Sequence, residues 1–166
     1  MRRIPIFNIG LFLFILSSCN HDISEKTLTK VESLKIAVDD FNKDPLTKKS
    51  IDLSKVSGIL IIPNAGCDGC ISTAETFVLD NYEKYEKLLV VFTRVSSLKS
   101  LKIRSNNRVL SSSLTIVDQK NQFSRDSLNS AYPLVAFIKD SNIMSIEEQS
   151  PFNTELLSKL VDHLDH

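Results

Sequence analysis

Gly58-Ile59-Leu60-Ile61-Ile62-Pro63-Asn64-Ala65-Gly66-Cys67-Asp68-Gly69-Cys70-Ile71 is the stretch that decides how this chain folds. Gly58 through Ile62 is a continuous apolar run, as expected of a strand buried on both faces, and Pro63 stops it. From Ile71 the residues Ala74, Val78, Tyr82 and Tyr85 recur at helical spacing, which makes the two tyrosines core-facing packing residues. Cys67 and Cys70 therefore fall at a strand-to-helix junction. A thiolate at a helix start meets unpaired backbone N–H groups and the positive end of the helix dipole, which stabilise its charge. Cys67 is thereby the candidate attacking sulfur. Cys70, one turn into the helix, is the candidate resolving sulfur.

Towards the C-terminus, Leu88-Leu89-Val90-Val91-Phe92 is a second buried run. Residues 97–107 are polar and basic, with a short helix near their start. Leu114-Thr115-Ile116-Val117 predicts a short strand before a polar turn at residues 118–121. Leu134-Val135-Ala136-Phe137-Ile138 follows Tyr132-Pro133 as another buried strand. Asp140-Ser141-Asn142 turns it into an antiparallel edge strand over residues 143–146. Phe152, Leu156, Leu157, Leu160, Val161 and Leu164 share one helical face, with Ser150-Pro151 or Asn153 opening that helix. The order predicts an α/β fold with a central mixed sheet flanked by helices.

On the N-terminal side, residues 21–50 are polar and lysine-rich. Leu28, Val31, Leu34, Val38 and Phe41 follow helical spacing, while Leu34, Ile36 and Val38 also alternate as in a strand. A tether that becomes a short amphipathic element, with a small strand near residues 34–38, is expected to end at Asp44-Pro45.

The chain's 166 residues suit one ordinary domain, and 42% hydrophobic with 24% charged residues are globular values. Twenty basic and twenty acidic side chains balance to zero, which removes the electrostatic reason to expect nucleic-acid binding. Three cysteines are too few for a disulfide-stapled scaffold, and three histidines leave little for a metal cluster. His163 and His166 are expected on a solvated helix end, and Lys99, Lys102, Arg104 and Arg108 in a solvated loop. No cofactor or metal is expected.

Arg2 and Arg3 precede a mainly apolar stretch over residues 4–16. As a helix it would span about 20 Å, short of the roughly 30 Å hydrocarbon core, which favours a cleaved signal over a permanent span. Leu16-Ser17-Ser18-Cys19 closes it and resembles the lipobox of bacterial lipoproteins. That resemblance implies a signal peptide at 1–18 and lipid on Cys19, enough acyl chains for stable membrane attachment. It implies a chain held outside the cytoplasm, where disulfides persist, with Asn20 leaning towards the outer membrane facing the periplasm. An ordinary secretory signal with an incidental cysteine remains the alternative.

For the Cys67–Cys70 pair two other readings stay open. A structural disulfide is inefficient at this spacing, removing about 1.9 kcal/mol of unfolded-state entropy against about 3 for a fifteen-residue loop. A zinc half-site would need further ligands at suitable spacing.

Residues 58–166 resemble the thioredoxin-like superfamily, nearest the extracytoplasmic redoxins that maintain or reduce thiols outside the inner membrane. The strand–Cys67-Asp68-Gly69-Cys70–helix unit carries the likeness, together with Tyr132-Pro133 leading into its strand and hairpin, and the segment over 114–121. The resemblance implies three segments: leader 1–18, tether and N-terminal element 19–50, and thioredoxin-like domain 51–166. It implies a cis bond at Pro133, packed beside the cysteines, and strand-like hydrogen bonds from Tyr132 to a substrate peptide. From the sequence alone, the alternative for Pro133 is a trans proline starting a strand.

Three features depart from the family's pattern. Gly66 stands where a tryptophan usually precedes the first cysteine, Ile61 replaces a buried acid, and Asp-Gly separates the cysteines. Asp68 is a candidate modulating residue: its charge opposes the neighbouring thiolate, which favours the disulfide and makes the pair more reducing. The expected function is a membrane-anchored, extracytoplasmic thiol–disulfide oxidoreductase working in the reducing direction. Its implied partners are a disulfide-containing extracytoplasmic protein and a membrane thiol electron donor. The alternative is a non-catalytic scaffold whose Cys67–Cys70 disulfide is structural.

Overall fold

The computed structural model describes residues 28–47 and 49–166, so the expectations for the leader, Cys19 and Asn20 lie outside the described residues. Strand β1 (Gly58–Pro63) is central. It pairs in parallel with β2 (Leu88–Thr93), which pairs in parallel with β3 (Thr115–Asp118). On its other side β1 pairs antiparallel with β4 (Leu134–Lys139), and β4 with the edge strand β5 (Asn142–Glu148). The five-stranded mixed sheet thus runs β3-β2-β1-β4-β5.

Every residue of β1 and β2 is buried, because helices cover both faces. Ile59 and Ile61 point into one apolar layer beneath α1 (Lys30–Lys43), with Leu89, Val91 and Phe123. Leu60 and Ile62 point into the other. There they meet Ile71, Ala74 and Val78 of α2 (Asp68–Asn81) and Leu101 of α3 (Leu98–Ser105). Val109 of α4 (Asn107–Ser111) and Leu156 and Leu160 of α5 (Leu156–Leu164) complete that layer. The α/β architecture with a mixed sheet flanked by helices follows from this period-two division of each buried strand. Among the described residues no helix is long and apolar enough to cross a membrane.

Residues 34–38 form no strand. Thr29 and Glu32 close a reciprocal capping box at the start of α1, and Leu34, Ala37, Val38 and Phe41 are all buried on one face. Phe41 meets Phe123 edge to face at 5.9 Å, and Asn42 holds Ile51 through both its backbone groups. Helical spacing prevailed over alternation because the cap fixed the start of the element. The helix accordingly packs into the same core as the strands.

Three further expectations change. Residues 98–111 form two helices, so the basic stretch is not a loop; the Arg104 side chain is engaged, as described below. Phe152 lies in the turn ahead of α5 and is 97% exposed, because that helix opens only at Leu156. His163 is half-buried and engaged rather than free in solvent. Its Nε2 lies 3.0 Å from the carbonyl oxygens of both Ser57 and Ile138, and its ring meets Phe137 edge to face. Gly58 allows that approach of α5, since a Cβ there would stand 2.9 Å from Leu160 Cδ1.

If α1 is part of the cooperative core, Leu34→Ala lowers unfolding free energy by about 2–5 kcal/mol. The exposed Lys35→Ala should change it by less than about 0.5 kcal/mol. Urea unfolding followed by circular dichroism measures both; equal effects would show that α1 unfolds independently.

Candidate active site

Parallel register aligns Pro63 with Thr93, so β1 and β2 deliver their C-terminal ends to one edge of the sheet. Antiparallel β4 brings its N-terminal end to the same edge. Three loops converge there, around residues 64–67, 94–97 and 129–133.

Cys67 is the N-cap of α2, with extended backbone angles, and its carbonyl accepts the Ile71 N–H at 2.9 Å. The helix opens three residues earlier than Ile71, so Asp68 and Cys70 both lie in its first turn. Cys67 is half-buried, Asp68 and Gly69 are exposed, and Cys70 is buried at 8% exposure. Both cysteines carry free thiols. Burial, followed by the hydrogen bond and charge of Cys67, pushes the Cys70 thiol up to about 11. One sulfur therefore meets solvent, and the other stays protonated at neutral pH.

Gly66 explains its own place before the first cysteine. Its φ is 153°, and a Cβ there would lie 2.1 Å from the carbonyl oxygen of Ala131. That same oxygen accepts the Cys67 N–H at 2.8 Å. A bulky residue at position 66 would push the two loops apart.

Tyr132 and Pro133 follow Ala131 beside the cysteine loop, and their peptide bond is trans where the resemblance implies cis; there is no cis bond among the described residues. Trans is the intrinsically favoured form by about 0.5–1 kcal/mol. Tyr132 N–H donates to Ser130 Oγ at 3.0 Å, and the buried Pro133 takes the Gln149 N–H at 2.8 Å. The Tyr132 N–H is thus already occupied. Ile61 is 1% exposed and sits in the layer under α1, so it offers no proton acceptor.

Sequence reasoning missed the polar residues that hold these loops. Arg94 reaches Asn129 Oδ1 at 3.2 Å and the Ser130 carbonyl at 3.1 Å, and its Nη2 donates to the Ala65 carbonyl. Arg104 donates to Glu75 Oε1 at 3.2 Å and to Asn64 Oδ1 at 2.6 Å. Asp118 is fully buried and accepts from Thr93 Oγ1, Gln122 N and Phe123 N. A charged residue directly after a buried strand was the available signal for Arg94. Among the described residues no group of three or more His, Cys, Asp or Glu side chains could hold a metal ion. A groove of about 490 Å³ opens elsewhere, between Phe41, Asp44 and β3, and includes neither cysteine.

Two outcomes are expected. Iodoacetamide at neutral pH should modify Cys67 in the folded protein, with Cys70 reacting only as the pH approaches 11 or after unfolding; peptide mapping reads this. Gly66→Ala should cost at least about 1–3 kcal/mol in urea unfolding, because both its φ and its contact with Ala131 oppose a side chain. Compared with known proteins, the chain matches no family model, no curated protein and no solved structure.

Proposed function

We propose that the chain is a thiol–disulfide oxidoreductase of thioredoxin-like type, reducing disulfides of extracytoplasmic proteins. One observation carries the reading: an accessible thiol caps a helix start while its partner, in the first turn of the same helix, is buried and held protonated. The five-stranded mixed sheet and the Tyr132-Pro133 loop beside the pair are compatible with that type.

In the reaction, the Cys67 thiolate attacks one sulfur of the substrate disulfide. The substrate S–S bond breaks, a mixed disulfide forms, and the released substrate thiolate takes up a proton. Cys70 gives up its proton and attacks Cys67, closing the Cys67–Cys70 disulfide and releasing the second substrate thiol. Two electrons pass to the substrate, and a membrane thiol donor, itself oxidised, supplies two more to restore the Cys67 and Cys70 thiols. Tyr132 and Pro133 flank the incoming segment, and the carbonyl side of Tyr132 remains for pairing because its N–H is held by Ser130. Lipid on Cys19 would hold the enzyme at the outer membrane, facing the periplasm, within reach of donor and substrate.

The scaffold reading has its own support. Gly66 in the place of a tryptophan and the buried Ile61 in the place of an acid both depart from the pattern of thioredoxin-like reductases. In that case Cys67 and Cys70 form a permanent bridge, and the loops around them are a binding surface.

Equilibrating the full chain in graded thiol–disulfide buffers and trapping its thiols with a maleimide separates the two. A redox enzyme titrates reversibly, with a midpoint nearer thioredoxin's roughly −270 mV than the roughly −120 mV of strongly oxidising disulfide donors. A midpoint above about −180 mV overturns the reducing direction. A pair that stays oxidised until the protein unfolds overturns the enzyme. Asp68→Asn should raise the midpoint by up to about 20 mV, since it removes a negative charge beside Cys67 that opposes the reduced, thiolate-bearing form.

A further inference from the structure

Arg94 follows the last residue of β2 with φ 57°, a left-handed backbone that a non-glycine residue keeps only where its surroundings over-determine it. Its N–H donates to Asn121 Oδ1 at 3.0 Å, and Asn121 is itself left-handed, in the turn built on the buried Asp118 carboxylate. From that fixed base the guanidinium spans the two loops of the thiol site. It holds the Ala65 carbonyl, two residues before Cys67, and the Ser130 carbonyl and Asn129 side chain, just before Ala131. The Ala131 carbonyl in turn receives the Cys67 N–H.

We propose that Arg94 is the positioning residue of the Cys67–Cys70 pair, locking segment 65–67 against segment 129–131 so that Cys67 is held at the helix start beside Tyr132. This rests on the reading of Cys67 and Cys70 as a redox pair. Three oxygens from two loops converge on one point, and oxygens without a shared donor repel one another. A planar guanidinium carries five N–H donors in a rigid fork and can serve all three. A lysine ammonium is a compact point charge on a flexible stem and cannot reproduce the fork. Arg104 does not duplicate this role, because it ties Asn64 to Glu75 of α2 and does not reach the 129–131 segment. Thiol–disulfide exchange needs aligned sulfurs, so loosening the two loops lowers the rate of attack while leaving both thiols in place.

The test compares Arg94→Met and Arg94→Lys with the wild-type full chain, and uses Lys102→Gln, exposed on α3, as a control for lost charge. Amide hydrogen exchange at Cys67 should accelerate by about tenfold or more in Arg94→Met, with protection at Ile61 and Val91 retained. Arg94→Lys should fall between wild type and Arg94→Met. Reduction of a disulfide-bonded protein such as insulin should slow by about 10- to 100-fold in Arg94→Met and remain at the wild-type rate in Lys102→Gln. Unchanged exchange at Cys67 overturns the proposal, as does equal loss of protection at Ile61 and Val91, which would make Arg94 a general structural residue. Should Arg94→Met fail to fold, Arg94→Lys decides, since wild-type exchange at its Cys67 amide also overturns the proposal. A wild-type protein that reduces nothing overturns the redox reading, and the exchange measurement, which needs no electron transfer, still decides whether Arg94 places Cys67.

Discussion

The contact between the Cys67 N–H and the Ala131 carbonyl organises the functional edge of this molecule. It joins the loop leaving β1 to the loop entering β4, two segments that antiparallel pairing brings close but does not itself bond. The contact is available only because Gly66 has no side chain, and it is steadied by the Arg94 guanidinium on both flanks. The trans bond at Pro133 and the Ser130 hydroxyl on Tyr132 complete the approach of the second loop. An altered residue at any of these points moves Cys67 relative to Tyr132, which is the geometry that a substrate disulfide would have to meet.

That edge stands on a core filled from both sides. Thr93 and Asp118 are paired across β2 and β3, and the Asp118 carboxylate satisfies one hydroxyl and two backbone N–H groups in a fully buried setting. A buried carboxylate left without these donors would be strongly destabilising, so the turn it holds is fixed, and Asn121 with it. The sequence of supports runs from Asp118 through Asn121 to Arg94 and then to the cysteine loop. Helix α1 closes the face under β3, β2, β1 and β4, and Lys49 fixes the following segment to the Ser112 and Thr115 carbonyls.

What could be read from the residues is what local periodicity determines. The apolar runs gave β1, β2 and β4 within a residue, and the strand–CxxC–helix junction placed Cys67 and Cys70 where the structure has them. Helix α1 was ambiguous because Leu34, Ile36 and Val38 fit two periods; the Thr29–Glu32 box decided it, and Ile36 is left exposed. His163 was misread because a polar residue near a chain end gives no local sign of the two strand-end carbonyls that receive it. Arg94 carried only the signal of a charge directly after a buried strand, and Asn121 and Asn129 carried none. Their partners are distant in sequence, and the pairing of β1 with β2, β2 with β3 and β1 with β4 brings them to one place.

The chemistry of the pair depends on which of its neighbours dominates. Asp68 lies in the first turn beside Cys67, but it is exposed, and an exposed charge a few ångströms away in water exerts about 1 kcal/mol or less. Burial of Cys70 is the larger effect: it holds that thiol up to about 11. A pair is oxidising when its reduced form is stabilised by a comfortable thiolate, and reducing when it is not. A buried, protonated Cys70 gives the reduced form no such stabilisation. With Ile61 offering no proton acceptor, the proposed reaction would leave the departing substrate thiolate to take the Cys70 proton. Resolution of the mixed disulfide would then be coupled to how closely the leaving sulfur passes Cys70, and the fit of the substrate segment against the Tyr132 loop would govern rate as well as affinity.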